Sequence, residues 1–155
     1  MKTKSTHDPG DLRERALRLL ARREHSRFEL ARKLAGGGFD DQEIAHLLDE
    51  FEGKNWLSDR RFAESWVADH RAKAGSVKLA FELRQRGVND AIIEAVLSEY
   101  RDSELERACE VWQKKFGVPP ADAAEKAKQM RFLQGRGFSS GVIRQTLREA
   151  IDVDS

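Results

Sequence analysis

Apolar residues recur along this chain at three- and four-residue spacings, which place side chains on one face of a helix. Leu12, Ala16, Leu19 and Leu20 mark a helix over Asp11–Glu24. Ser26-x-x-Glu29 is a capping box, so a second helix starts there and runs to Gly36-Gly37-Gly38. Ile44, Leu47, Leu48 and Phe51 mark a third over Asp40–Gly53. Ser58 or Asp59 caps a fourth, on which Phe62, Trp66 and Val67 form the apolar stripe. Trp56, Phe62 and Trp66 are expected as aromatic core anchors. Gly75-Ser76 breaks and restarts the chain, and Val77–Arg86 and Asp90–Tyr100 follow. Ser103–Phe116 carries Leu105, Ala108, Val111 and Trp112 on one stripe before the breaker Gly117-Val118-Pro119-Pro120. Asp122-x-x-Glu125 then opens Ala123–Arg136, and Ser139–Ile151 ends the series. No segment reads as a strand.

One phrase occurs three times. Leu34 is followed by Gly38, Phe39, Ile44 and Leu48; Leu83 by Gly87, Val88, Ile93 and Leu97; Leu133 by Gly137, Phe138, Ile143 and Leu147. The glycines lie 49 and 50 residues apart, the mark of a tandem array. Each phrase predicts a helix-turn-helix corner. A left-handed residue ends the first helix at no steric cost to glycine, and the next apolar residue folds back onto the last turn. Asp40, Asn89 or Ser139 then caps the second helix. The expected fold is all-α: an elongated tandem array of three three-helix repeats, helix-turn-helix-like units over 11–55, 56–101 and 102–151. A disordered tail over 1–10 precedes them and an acidic tail over 152–155 follows.

Composition narrows the function classes. The 155 residues hold 28 basic and 27 acidic side chains, so net charge points to no partner. Charged residues make up 35% of the chain and there are three prolines, which suits a solvent-rich helical array. One cysteine, Cys109, excludes an internal disulfide and fits a reducing compartment. No apolar run nears the roughly 18 residues of a membrane span, and Met1–Gly10 lacks a signal-peptide core. A cytoplasmic monomer with no membrane partner is expected. His7, His25, His46 and His70 are scattered, and Glu43-x-x-His46 lacks its second half for a metal site. Cys109 has no motif around it and reads as a small core residue. Gly36-Gly37-Gly38 follows no strand and precedes no Lys-Ser/Thr pair, so it is a helix end and not a phosphate cradle. No cofactor, metal or enzymatic activity is expected.

Neutrality hides segregation. Lys2 to Lys33 holds ten basic and five acidic residues, whereas Leu34 to Leu57 holds one and six. Ser58 to Gly87 holds seven and four, and the stretch on to Tyr100 none and three. The final helices of the first two units are therefore acidic, and phosphates repel them, so reading of a DNA groove by those helices is unexpected. The basic residues concentrate on the first two helices of each unit, and the third unit differs in that its last helix also carries Arg144 and Arg148. The candidate filament- or DNA-binding residues are Arg22, Arg23, Arg27, Arg32 and Lys33, then Arg60, Arg61, Arg71, Lys78, Arg84 and Arg86, then Lys128, Arg131, Arg136 and Arg144. The middle unit is flanked on both sides, so Arg60, Arg61, Lys78, Arg84 and Arg86 are expected to matter most. Arg84 and Arg86, beside the corner glycine, are expected to project outward.

Four stretches, Ser26-Arg27-Phe28-Glu29-Leu30-Ala31-Arg32-Lys33-Leu34, Trp56-Leu57-Ser58-Asp59-Arg60-Arg61-Phe62-Ala63, Glu82-Leu83-x-x-Arg86-Gly87-Val88 and Phe132-Leu133-x-x-Arg136-Gly137-Phe138, carry a family likeness. Over roughly Leu12 to Ala150 the chain resembles the RecX regulators of the bacterial recombinase RecA. The resemblance implies a tandem array of three-helix repeats that binds the RecA filament on DNA. It implies an inhibitor that lowers RecA's ATP hydrolysis, strand exchange and co-protease activity, with no catalytic group of its own. One departure is Ala35-Gly36-Gly37, where family members usually carry basic residues before the glycine. The alternative is a non-specific DNA-binding helical repeat, with weak direct binding to DNA; a scaffold for peptide ligands is a third.

Overall fold

The computed structural model of the protein describes residues 9–71 and 74–154, and among these it holds nine α-helices and no strand. They are α1 (Pro9–Arg22), α2 (Arg27–Gly36), α3 (Asp41–Gly53), α4 (Asp59–His70), α5 (Ser76–Gln85), α6 (Asp90–Arg101), α7 (Glu104–Lys115), α8 (Ala123–Gly135) and α9 (Ser140–Asp154). Every predicted helix is present. Pro9 and Gly10 of the expected tail belong to α1, while residues 1–8 and Ser155 lie outside the described residues. The acidic end is helical through Asp154.

Local chemistry sets the helix ends. The Ser26 side chain accepts from the Glu29 N–H at 3.1 Å and Glu29 accepts from the Ser26 N–H at 3.2 Å, a complete capping box. Asn89 and Asp122 accept from the N–H groups of Ile92 (2.9 Å) and Glu125 (2.8 Å). At the three corners Gly38, Gly87 and Gly137 adopt φ of 91°, 80° and 89°. The N–H groups of Phe39, Val88 and Phe138 reach back to the carbonyls of Leu34, Leu83 and Leu133 at 3.4, 3.1 and 3.3 Å. The apolar residue after each glycine is thereby buried against its own module.

Each module has its own core. Leu34, Leu83 and Leu133 are all fully buried at equivalent places, with Leu48, Leu97 and Leu147 opposite. The third core includes a polar bridge: Trp112 Nε1 donates to Gln129 Oε1 at 2.8 Å, and Gln129 Nε2 to the Val118 carbonyl at 3.1 Å. Of the expected aromatic anchors, Phe62 is buried and Trp66 half-buried, but Trp56 is 45% exposed. Its ring lies tilted against Phe51, centroids 5.5 Å apart, with the Lys54 ammonium 4.7 Å from its centre, because Leu57 takes the inward position. Cys109 is half-buried; its Sγ lies 3.5 Å from Glu149 Oε2, and burial pushes the thiol up from its ordinary range.

In the first module α1 is clamped to α3 by Arg13 and Glu50, with Lys54 Nζ 3.0 Å from the same carboxylate. The Arg13 guanidinium, then Lys54, hold the Glu50 carboxyl down at about 2. A depressed carboxyl contributes above its ordinary value, roughly 4.3, and its contribution is lost as pH falls through the folded value. Titration of the Glu50 carboxyl carbon by NMR should show a midpoint near 2, and Arg13→Ala should move it up towards the ordinary range. An ordinary midpoint in the unmutated protein would show that the clamp does not form.

The modules meet through one repeated joint. At the first, the Ser26 hydroxyl donates to the Arg86 carbonyl at 2.6 Å and Phe28 lies against Gly87. At the second, the Gly75 and Val77 N–H groups donate to the Arg136 and Gly137 carbonyls at 2.8 and 3.1 Å, and Lys78 lies against Gly137. A carboxylate from the following module completes each joint. Asp59 accepts from the Arg27 N–H at 2.8 Å; buried Glu104 accepts from the Ser76 N–H at 3.1 Å and its hydroxyl at 2.8 Å. The second and third corners thus each receive the first turn of the preceding module's second helix, and α8, α5 and α2 stand end to end.

Candidate functional site

Charge sorts by helix position within the module. The end-to-end row is basic: Arg27, Arg32 and Lys33 against Glu29 on α2, Lys78 and Arg84 against Glu82 on α5, and Lys126, Lys128 and Arg131 against Glu125 on α8. The third helices of the first two modules are acidic, whereas α9 in the third carries Arg144 and Arg148. Asp41, Glu43, Asp49, Glu50 and Glu52 on α3 face no Lys or Arg of that helix, and α6 sets Asp90, Glu94 and Glu99 against Arg101. Carboxylates near a helix N-terminus also complement its dipole, so Asp41 and Asp90 serve local structure as well.

Tertiary contacts divide the predicted cations into two groups. Arg23 pairs with Glu29 at 3.1 Å, Arg27 with Asp49 at 2.8 Å and with Glu52, Arg60 with Glu64 at 3.4 Å, and Arg84 with Asp90 at 2.8 Å. Arg61 ties the first two modules together, reaching Glu24 at 2.8 Å and Asn55 at 2.9 Å. Arg86 does not project outward: its guanidinium lies 3.9 Å over the Trp66 ring and donates to the Glu82 carbonyl at 3.0 Å. Arg32 lies over Phe28 and Arg136 over Phe132. Lys33 Nζ is 2.9 Å from Nε2 of buried His25, whose Nδ1 is 3.1 Å from the Arg23 carbonyl. Burial pushes the His25 pKa down, so the neutral ring donates from Nδ1 and accepts from Lys33. Arg22, Arg71, Lys78, Lys128, Arg131 and Arg144 are exposed and form no ion pair with a described residue. Of these, Lys78, Lys128 and Arg131 lie on the row, Arg22 and Arg71 end the first helices α1 and α4, and Arg144 is on α9.

The charge pattern missed three apolar side chains on the same row. Phe28 on α2 is 44% exposed, and Val77 and Phe81 on α5 are each 57% exposed. A signal was available: Val77, Leu79, Ala80, Phe81 and Leu83 are more apolar residues than one buried face of α5 can hold. Hollows between first and third helices, such as the one lined by Arg60, Glu64, Arg71 and Glu99, carry mixed charge. Among the described residues no group of His, Cys, Asp and Glu is placed to hold a metal, and no helix is long and apolar enough to cross a membrane.

Family models match all three modules: RecX first three-helix domain over residues 13–51, second over 58–97 and third over 102–147. The chain belongs to the RecX family. It is similar to proteins named Regulatory protein RecX in Chromobacterium violaceum, 49% identical over 143 residues covering 92% of this chain and 93% of that one. A second, in Ralstonia nicotianae, is 46% identical over 142 residues covering 92% and 89%. The crystal structure of RecX from Lactobacillus salivarius has the same fold, with a TM-score of 0.80 at 21% identity over 92% of this chain and 96% of that one. RecX membership thus rests on sequence along the whole array, and the fold likeness extends to relatives with few residues in common.

Proposed function

We propose that this protein is a non-enzymatic inhibitor of the recombinase RecA, which it meets as a filament on DNA. The observation that carries the reading is a RecX-family array whose second helices form one basic row. A filament repeats, so successive modules can meet successive protomers. Each added contact then acts at a high effective concentration and yields avidity from weak contacts. Bound in this way the array lowers RecA's ATP hydrolysis, strand exchange and co-protease activity without a catalytic group. The test is RecA's ATPase on single-stranded DNA titrated with this protein, where a progressive fall is expected and unchanged turnover at saturation refutes the reading.

The unpaired cations of the row also support a second reading, non-specific binding to DNA. Binding to duplex with no recombinase present, at the affinity seen with it, favours that reading. Under either, Lys128→Glu with Arg131→Glu should weaken binding several-fold and flatten its salt dependence. Helicity and melting should stay near those of the parent, because exposed changes are usually within about 0.5 kcal/mol. Full inhibition by a folded double variant would remove α8 from the interface.

A further inference from the structure

We propose that Val77 and Phe81 form the apolar anchor by which the middle module seats on a protein surface, a recess bordered by an acidic side chain on the partner protomer. The proposal rests on the filament reading above and names the part of the row that makes the decisive contact.

Helix α5 is apolar on two sides. Leu79, Ala80 and Leu83 enter the core, while Val77 and Phe81, one turn apart, are each 57% exposed and belong to no core cluster. Their position is central: the N-terminus of α5 abuts the third module's corner, and the module's own corner abuts α2. The flanking cations of α2 and α8 therefore act on both sides of this patch. Interfaces draw most of their energy from a few buried apolar or aromatic groups near the centre, with charge around them.

The surrounding charge selects a protein over a nucleic acid. Lys78, beside Val77, has no ion pair with a described residue and is free to meet a carboxylate. Arg84, beyond Phe81, is already held by Asp90 at 2.8 Å, and that aspartate's side chain is 76% exposed. A phosphate backbone running past Phe81 meets this acid. A base stacked on the phenyl ring also leaves Val77 unused, since stacking needs an aromatic face. A protein recess with a carboxylate at its edge uses Val77, Phe81 and Lys78 together.

The test uses the full chain with Val77→Ser and Phe81→Ser, and Phe81→Gln alone as a milder variant. Three quantities are measured: RecA ATPase inhibition on single-stranded DNA, anisotropy of a fluorescein-labelled thymidine oligonucleotide without RecA, and the far-UV melting curve. The double variant should raise the half-inhibitory concentration by about tenfold or more, the effect of losing a hot-spot contact. Phe81→Gln should act in the same direction. Oligonucleotide binding and melting should not change. Undiminished inhibition by both variants overturns the proposal while leaving the filament reading intact. Parallel loss of oligonucleotide binding reassigns the patch to base stacking, and a lowered melting temperature assigns it to the fold; either overturns the proposal. If the unmutated protein leaves RecA's ATPase unchanged, the filament reading itself falls and the anchor with it.

Discussion

Gly137→Ala should destabilise the protein by about 2–5 kcal/mol, whereas Gly135→Ala, two residues earlier, should leave it unchanged or raise its stability by up to about 1 kcal/mol. Two effects add at Gly137. Its φ of 89° is left-handed, a conformation that costs a side chain roughly 1–2 kcal/mol. A Cβ there lies 2.7 Å from the Lys78 nitrogen and 2.9 Å from the Lys78 Cα, backbone atoms that cannot turn aside. Relief requires the start of α5 to move, which stretches the bonds from Gly75 and Val77 to the third module's corner. Overpacking of that kind typically costs about 1–3 kcal/mol. Gly135 is within α8, and a Cβ on it meets nothing within 4 Å, so alanine there only gains helix propensity. Urea unfolding of both variants checks the difference, and hydrogen exchange at Val77 locates it. Equal stability of the two would show that the corner glycine is a helix end and no part of a joint.

Glu104→Ala should cost about 2–4 kcal/mol, and Glu104→Gln distinctly less. Glu104 is 3% exposed and, among the described residues, is the only side-chain acceptor at the first turn of α5, whose N-cap, Gly75, supplies none. Alanine leaves the buried Ser76 N–H and hydroxyl without their partner, and each such loss costs about 1–3 kcal/mol, less where water enters. Glutamine keeps an acceptor and the shape but loses the charge that favours a helix N-terminus. The stabilities follow from chemical denaturation, and the joint from exchange of the Ser76 amide. An alanine variant as stable as the parent would mean that Glu104 does not hold the modules together. At the first joint Asp59 has the same place; burial pushes its carboxyl above the ordinary range while the Arg27 N–H pulls it back.

Residue type and spacing are enough to specify the module. Leu83, Gly87, Val88 and Ile93 act within eleven consecutive residues, so helix end, back-folded apolar residue and next cap are all local consequences of residue type. The same holds for the sign of each helix, because α3 is acidic and α8 basic whatever surrounds them. The joints, by contrast, emerge only in the folded chain. Ser76 and Glu104 are 28 positions apart and Arg27 and Asp59 are 32 apart, and nothing in a buried carboxylate's residue type separates it from exposed ones such as Glu64. Tertiary structure also decided which cations remain for a partner. Arg61 and Lys78 are alike in sequence, yet Arg61 is taken by Glu24 across the first joint while Lys78 is left at the second. Phe81 and Leu83 are both apolar residues of one helix, but Leu83 is fully buried in the module's core while Phe81 is exposed. Periodicity and charge sign belong to a single helix, whereas burial and pairing depend on which helix ends meet, and that is set by many small contacts summed over the whole array.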